Sequence, residues 1–153
     1  VRRFGDVIRL PVVAADTAER VGVVTGLVTA ASPARVEFVR MRSSRGDESV
    51  PWAQIRAIGP DAVMIFRASG PYAEAGADDR ASDPVGKQLL TDRGQWLGDV
   101  QECAFDEADG RLISFSTTTD VFAGDRLLGV GDFAVVIRSE ASREKADGEA
   151  AST

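Results

Sequence analysis

Residues 13–24 read VAADTAERVGVV, and residues 89–100 read LLTDRGQWLGDV. Each runs from an apolar residue through an Asp-containing turn into an apolar-Gly-x-Val segment. Val13, Asp16, Val21-Gly22 and Val24 in the first correspond to Leu89, Asp92, Leu97-Gly98 and Val100 in the second, each 76 positions later. Working outward, Arg35-Val36 falls on Arg111-Leu112 at the same offset. Further on, Ile55, Ile58-Gly59 and Val63-Met64-Ile65 fall on Leu127, Val130-Gly131 and Val135-Val136-Ile137 at an offset of 72. The change implies a net four-residue length difference in the intervening loops, where length changes are tolerated. The chain thus reads as one unit occurring twice, a tandem pair rather than a solenoid, which needs at least three repeats.

Inside each unit the apolar runs are short and rich in Val, Ile and Phe, which predicts strands. In the first they fall at Val7 to Val13, Val21 to Thr29, Arg35 to Met41 and Ala62 to Phe66. Turn formers separate them: Ala15-Asp16, Ser32-Pro33, Arg45-Gly46-Asp47 and Gly59-Pro60-Asp61. The second unit has Asp92-Arg93-Gly94, Asp109-Gly110, Ala123-Gly124-Asp125 and Gly131-Asp132. Asp109-Gly110, between Phe105 and Leu112, predicts a hairpin with a type I′ turn. A single helical turn over Ala53 to Arg56 would put Trp52 and Ile55 on one face. Gly22 and Gly98, inside strands, predict bulges or sharp bends. The fold class is all-β, two small β-barrels in tandem.

Composition sets the boundaries. Residues 69–82, SGPYAEAGADDRAS, are small, polar and acidic and read as a flexible linker. Residues 139–153, SEASREKADGEAAST, hold no large apolar residue and read as a disordered acidic tail. The organisation is therefore 1–68 for repeat 1, 69–82 for the linker, 83–138 for repeat 2 and 139–153 for the tail. Asp83, with Asp78 and Asp79, reads as solubilising charge beside the linker. At 153 residues the chain offers one medium domain or two very small ones, and each unit alone is marginal in size. That favours packing of the two repeats on each other as a pseudo-dimer.

The function classes narrow next. His is absent, which excludes histidine bases, histidine zinc ligands and Ser-His or Cys-His pairs. The single Cys103 excludes an internal disulfide and a zinc-thiolate site; it matches Leu27 and reads as a small buried hydrophobe. No phosphate loop or dinucleotide fingerprint is present, and the Ser-Thr run 116–119 has no visible base to activate it. No apolar run approaches the ~18–20 residues of a transmembrane segment, and no secretory leader opens the sequence. The expectations are a non-enzymatic cytoplasmic protein with no cofactor and no metal.

The runs VVAADTAERVGVVTGLV, SPARVEFV and VPWAQIRAIGPDAVMI, at 12–28, 32–39 and 50–65, resemble the PRC-barrel family. So do KQLLTDRGQWLGDVQECAFDEADGRLISF and LLGVGDFAVVI in the second unit. There no Pro-aromatic pair precedes Leu127, and Phe133 stands where the first unit has Asp61. The resemblance implies a small barrel of about six strands per unit and a non-catalytic interaction or adaptor role in a bacterium or archaeon. Its motifs are turn glycines and core valines, so they speak to fold before function.

Charge and aromatic residues supply the candidate sites. Residues 1–67 hold ten arginines against seven acids, a balance of +3, whereas residues 68–153 hold eight bases against seventeen acids, a balance of −9. Arg35, Arg40, Arg42 and Arg45 cluster in RVEFVRMRSSRG; strand alternation puts Arg40 and Arg42 on one face, and the binding candidates are Arg40, Arg42 and Arg45. They are the candidate basic patch, against a charged, solvated strand edge. Trp96 stands where the first unit has Arg20 and is the candidate exposed aromatic anchor; packing between the repeats is the other reading. Trp52, after Pro51, reads as a barrel cap or core residue. Asp106, Glu107 and Asp109 lack the spacing of a calcium loop and read as a polar turn. The expected partner is a protein, with the charge contrast orienting it. The alternative is RNA or ribosome association through the basic first repeat, which requires steep salt dependence.

Overall fold

Apolar runs this short, broken so often by turn formers, leave no stretch on which a helix of several turns could propagate. The computed structural model, which describes residues 1–31, 33–68 and 83–139, is accordingly built of strands. The first half runs β1 (Arg2–Arg3), a one-turn helix α1 (Phe4–Val7), β2 (Pro11–Ala14), β3 (Arg20–Ala30), β4 (Arg35–Ser43), β5 (Gly46–Pro51), a 3-10 turn (Trp52–Gln54), β6 (Ile55–Ile58) and β7 (Val63–Ile65). The second runs β8 (Gln88–Thr91), β9 (Trp96–Asp99), β10 (Glu102–Phe105), β11 (Leu112–Ser116), β12 (Val121–Ala123), a 3-10 turn (Gly124–Arg126), β13 (Leu127–Val130) and β14 (Ala134–Ile137). Most of the linker and tail expected at 69–82 and 139–153 lies outside the described residues. Ser139 is described: it is buried, and its N–H donates to the Asp92 carboxylate at 3.0 Å.

The fold is all-β, and the repeat is visible in the register. The first half forms one sheet in the order β5-β4-β3-β2-β7-β6. The second forms β12-β11-β10 and β9-β8-β14-β13, the same order with the counterpart of β3 split in two. The split falls at Gln101, which answers to Thr25, where β3 carries a bulge between Val24 and Gly26. Other irregularities recur as well. Val28/Thr29 against β4 matches Ala104/Phe105 against β11, and Ile55/Ala57 against β7 matches Leu127/Gly129 against β14. Val12 opposite Gly22 matches Leu89 opposite Gly98, each beside a further bulge. A Cβ on Gly22 would lie 2.8 Å from Met41 Sδ, and Gly98 has φ +115°, so both glycines serve the bends expected of them.

Five sequence expectations are corrected. Among the described residues no sheet closes into a barrel: β5 and β6 are the edges of one, β9 and β13 of another, β1 and β12 of the third. The strand expected at Val7 to Val13 is instead the end of α1, a turn with Arg9 at φ +77°, and β2. β2 and β8 correspond at an offset of 77 rather than 76, because the Ala14-to-Glu19 turn is one residue longer than the Thr91-to-Gln95 turn. The Asp109-Gly110 hairpin is not type I′. Only Gly110 has positive φ, and Gly110 N–H donates back to the Asp106 carbonyl across a longer loop. The helical turn expected at Ala53 to Arg56 is the 3-10 turn Trp52–Gln54.

The two halves share one core. Arg35 and Arg111, equivalent residues, form an antiparallel bridge. Around it Val36 N–H donates to Gly110 O at 2.8 Å, and Leu112 N–H donates to Ala34 O at 3.1 Å. These two bonds interchange under the repeat operation, so they mark a pseudo-two-fold axis, the signature of an isologous contact. β1 leaves the first half to pair with β10 of the second. Phe4 meets Phe105 edge-on at 5.5 Å, and Trp52 meets Phe105 at 6.5 Å, so two aromatic rings of the first half hold one of the second. Phe4 and Phe105 are buried, while Trp52 is partly buried against the same core, as its cap-or-core reading expects.

Close packing at the second 3-10 turn gives a test. A Cβ on Gly124 would lie 2.4 Å from the backbone oxygen of Leu112, whereas one on Gly129 meets nothing within 4 Å. Gly124→Ala is expected to cost roughly 1–3 kcal/mol in urea unfolding. Gly129→Ala should stay within about 0.5 kcal/mol of the parent.

Candidate interaction surface

The three arginines of the candidate basic patch take two different places. Arg42 and Arg45 ride the tip of the β4–β5 hairpin, each beside a carboxylate of the same hairpin: Arg42 Nε to Asp47 Oδ1 at 3.3 Å, Arg45 Nη2 to Glu48 Oε1 at 3.3 Å. Exposed pairs of this kind contribute about 0–1 kcal/mol to stability, but they blunt the local positive field. Arg40 shares a face with Arg42, because β4 pairs with β5 without a register shift. It is half-buried, opposite Gly26 and Ser49, and its charge acts on Asp83 and Lys87 of the second half.

Asp83 is the residue whose role the sequence reading missed. Rather than a solubilising charge, it is a half-buried carboxylate at the seam. Val85 N–H donates to it at 3.0 Å, and Leu27 N–H donates from β3. Gly26 makes the room, since a Cβ there would lie 3.0 Å from Asp83 Oδ2. Burial pushes the carboxyl above its usual range, opposed by the two backbone donors and by Lys87 and Arg40. Lys87 is lowered by burial and by Arg40, against the pull of Asp132 and Asp83. The one signal available in the sequence was position: Asp83 directly precedes Pro84 and the opening strand of the second unit. Below this cluster Cys103 is fully buried. Burial, then the carboxylates of Asp83 and Glu102, push its thiol far up, so it is no reactive thiolate.

The second half presents a groove. β9 and β12 are edge strands of different sheets, and between them lies a cleft of about 540 Å³ lined by Gln95, Leu97, Val121, Phe122, Ala123 and Arg126. The four-residue difference between the repeats lies beside it. In the first half Met41 pairs with Glu48 and six residues close the hairpin tip; in the second, Thr117 N–H bonds Asp120 O and two residues suffice. Met41 covers Gly22 and Thr117 covers Gly98, so the core contact is kept and only the projection is lost. Val23 pairs with Arg42 of that projection and is half-buried; its counterpart Asp99 is exposed. Arg126 forms part of the floor, 7% exposed. Its Nε and Nη2 donate to the Arg138 carbonyl at 2.8 and 2.6 Å, and its guanidinium lies 5.6 Å from the Phe122 ring centroid.

Trp96, at the start of β9, is 61% exposed, and Val121, at the start of β12, is 70% exposed. The structure therefore puts Trp96 in solvent beside the groove rather than between the repeats. Asp106 and Asp109 accept from the backbone N–H groups of Ala108 and Arg111 within their own loop, the work of a polar turn. Among the described residues no three His, Cys, Asp or Glu side chains gather as a metal site, and no helix is long and apolar enough to cross a membrane.

No protein-family model matches the chain, and no curated protein matches it.

Asp83 supplies a pH test. Its folded-state pKa lies above the unfolded value, so its contribution to stability is complete below the unfolded pKa and is lost as pH rises through the folded one. Asp83→Asn keeps an oxygen acceptor and removes the buried charge. It is expected to raise the thermal midpoint at pH 7, with the advantage fading as pH falls through the raised folded-state pKa and gone below about 4, where an unperturbed aspartate protonates. Midpoints of both proteins from pH 3 to 8 check this; a gap that widens toward low pH contradicts it.

Proposed function

We propose that this chain is a non-catalytic interaction module of two PRC-barrel-like units. It docks a cytoplasmic protein partner along the groove between β9 and β12. The repeated strand order and the recurring bulges support the kinship of the two units with each other. The docking rests on one observation: Trp96 and Val121 stand in solvent on two sheet edges that flank one cleft. An edge strand offers unpaired N–H and C=O groups to an extended segment, and alternate side chains of that segment find pockets beside it. Trp is among the residues most often energetically dominant at interfaces.

The RNA or ribosomal alternative draws less from the geometry. Arg42 and Arg45 each lie beside a carboxylate, and Arg40 faces Asp83, so the three do not form one open basic surface.

A photo-reactive amino acid at position 96, introduced into the full chain in native lysate, tests the reading. A protein adduct that survives nuclease and is lost on Val121→Arg is expected. Trp96→Ala should weaken the captured pair by about tenfold or more, with stability changed by less than about 0.5 kcal/mol. Adducts that vanish with nuclease, or binding indifferent to both substitutions, would reject it in favour of the RNA alternative or of another surface.

A further inference from the structure

The pseudo-two-fold axis brings two arginines face to face. In the Arg35–Arg111 bridge the flanking residues exchange the hydrogen bonds, Val36 with Gly110 and Leu112 with Ala34. Arg35 and Arg111 are therefore a non-hydrogen-bonded pair, the kind whose Cα atoms come within about 4.5 Å and whose side chains leave the same face closest together. Like charges directly opposite are unfavourable, and a guanidinium does not shed its proton to relieve them. Arg35 Nε is buried with no hydrogen-bond partner. Neither arginine takes part in an ion pair among the described residues.

Beside this pair, at the seam, lies a cavity of about 430 Å³, walled on the first half by Pro33 and Ala34. Arg111 and Arg138 line it on the charged side, with Leu112, Leu127 and Leu128 on the apolar side. Arg138 is held by an Nη2 donation to the Asp125 carbonyl at 3.2 Å, and the Asp125 side is the acidic part of the wall. Leu128 is 47% exposed at the mouth, although its strand neighbour Leu127 is buried. Arg111 and Arg138 against Asp125 give the lining a net positive charge, with Arg35 just across the bridge and the Asp109 carboxylate on the Arg111 N–H. A guanidinium is a planar fork of donors suited to an oxyanion, and a carboxylate or phosphoryl group takes two such donors at once.

We infer that the cavity at the repeat seam binds a small organic oxyanion, its charged group on Arg111 and Arg138 and its apolar body on Leu127 and Leu128. Arg35, across the bridge, acts through Arg111: it is a like-charge neighbour whose cost the bound anion offsets. The shared chemistry is a carboxylate or a phosphate monoester on an apolar frame. The site is distinct from the β9–β12 groove and does not depend on it.

The test uses the full chain with three probes, phenyl phosphate, benzoate and inorganic phosphate, followed by thermal midpoint and calorimetric titration. Phenyl phosphate or benzoate is expected to raise the midpoint saturably and to bind better than inorganic phosphate, and the stronger of the two identifies the anion. Arg111→Ala should weaken binding by about tenfold or more, and Arg111→Lys, which keeps the charge and loses the fork, should recover it only in part. Arg35→Ala separates this reading from a structural one: the free protein becomes more stable while the probe binds less well. Three results would overturn the proposal. They are no saturable shift with any probe, a shift unchanged in Arg111→Ala, or inorganic phosphate binding as well as phenyl phosphate.

Discussion

Everything in this fold depends on a core that neither half can enclose alone. A unit of some 60 residues buries only about 60% of the surface its unfolded chain exposes, which leaves little net stability. The protein meets that constraint by joining the halves through backbone rather than by docking finished domains. Two hydrogen bonds related by the repeat, Val36 to Gly110 and Leu112 to Ala34, fix the axis. β1 carries Phe4 across to β10, where Phe105 receives it on one side and Trp52 on another. The buried residues of both halves form one continuous cluster. The pairing of Arg35 with Arg111 is a direct outcome of this symmetry, because an isologous contact sets every residue on the axis against its own equivalent.

Symmetry also explains where the halves are free to differ. Positions that touch the axis or the core keep their register, down to the bulges. Differences gather where nothing packs: the hairpin tip after Met41 and its two-residue counterpart after Thr117. The longer tip carries its own charge pairs and projects from the first half. The shorter one leaves the β9 edge uncovered, and the residues there have changed accordingly, half-buried Val23 to exposed Asp99 and Arg20 to Trp96. One duplication thus yields two chemically different ends on a common frame.

Much of this was legible in the residues. The repeat, the all-β class, Cys103 as a core residue and the bends at Gly22 and Gly98 follow from period, turn chemistry and matched spacing; Trp96 was open between an exposed anchor and repeat packing until the structure placed it in solvent. What was not legible was non-local. The one-residue slip between β2 and β8 hides because Val12 and Val13 are equally apolar, and only pairing to β7 selects which faces inward. Asp83 lies beside acidic, linker-like sequence, and its burial is decided by Gly26, far away in the chain. Arg35 and Arg111 were matched as repeat equivalents, but no single-chain pattern shows that equivalents meet. Barrel closure is likewise a matter of how far edge strands curl toward each other, which strand propensity does not set.

The crossing of β1 bears on how the protein is made. Chains emerge from the ribosome at about 5–20 residues per second, and early segments fold first when they can. Here Phe4 and Trp52 are synthesised long before Phe105, the ring that buries them. The opening strand has no sheet to join until β10 exists. Until the second half is made, the first half therefore exposes aromatic surface that only Phe105 and its neighbours can cover. Synthesis of the second half, rather than completion of the first, is the event that lets this core close.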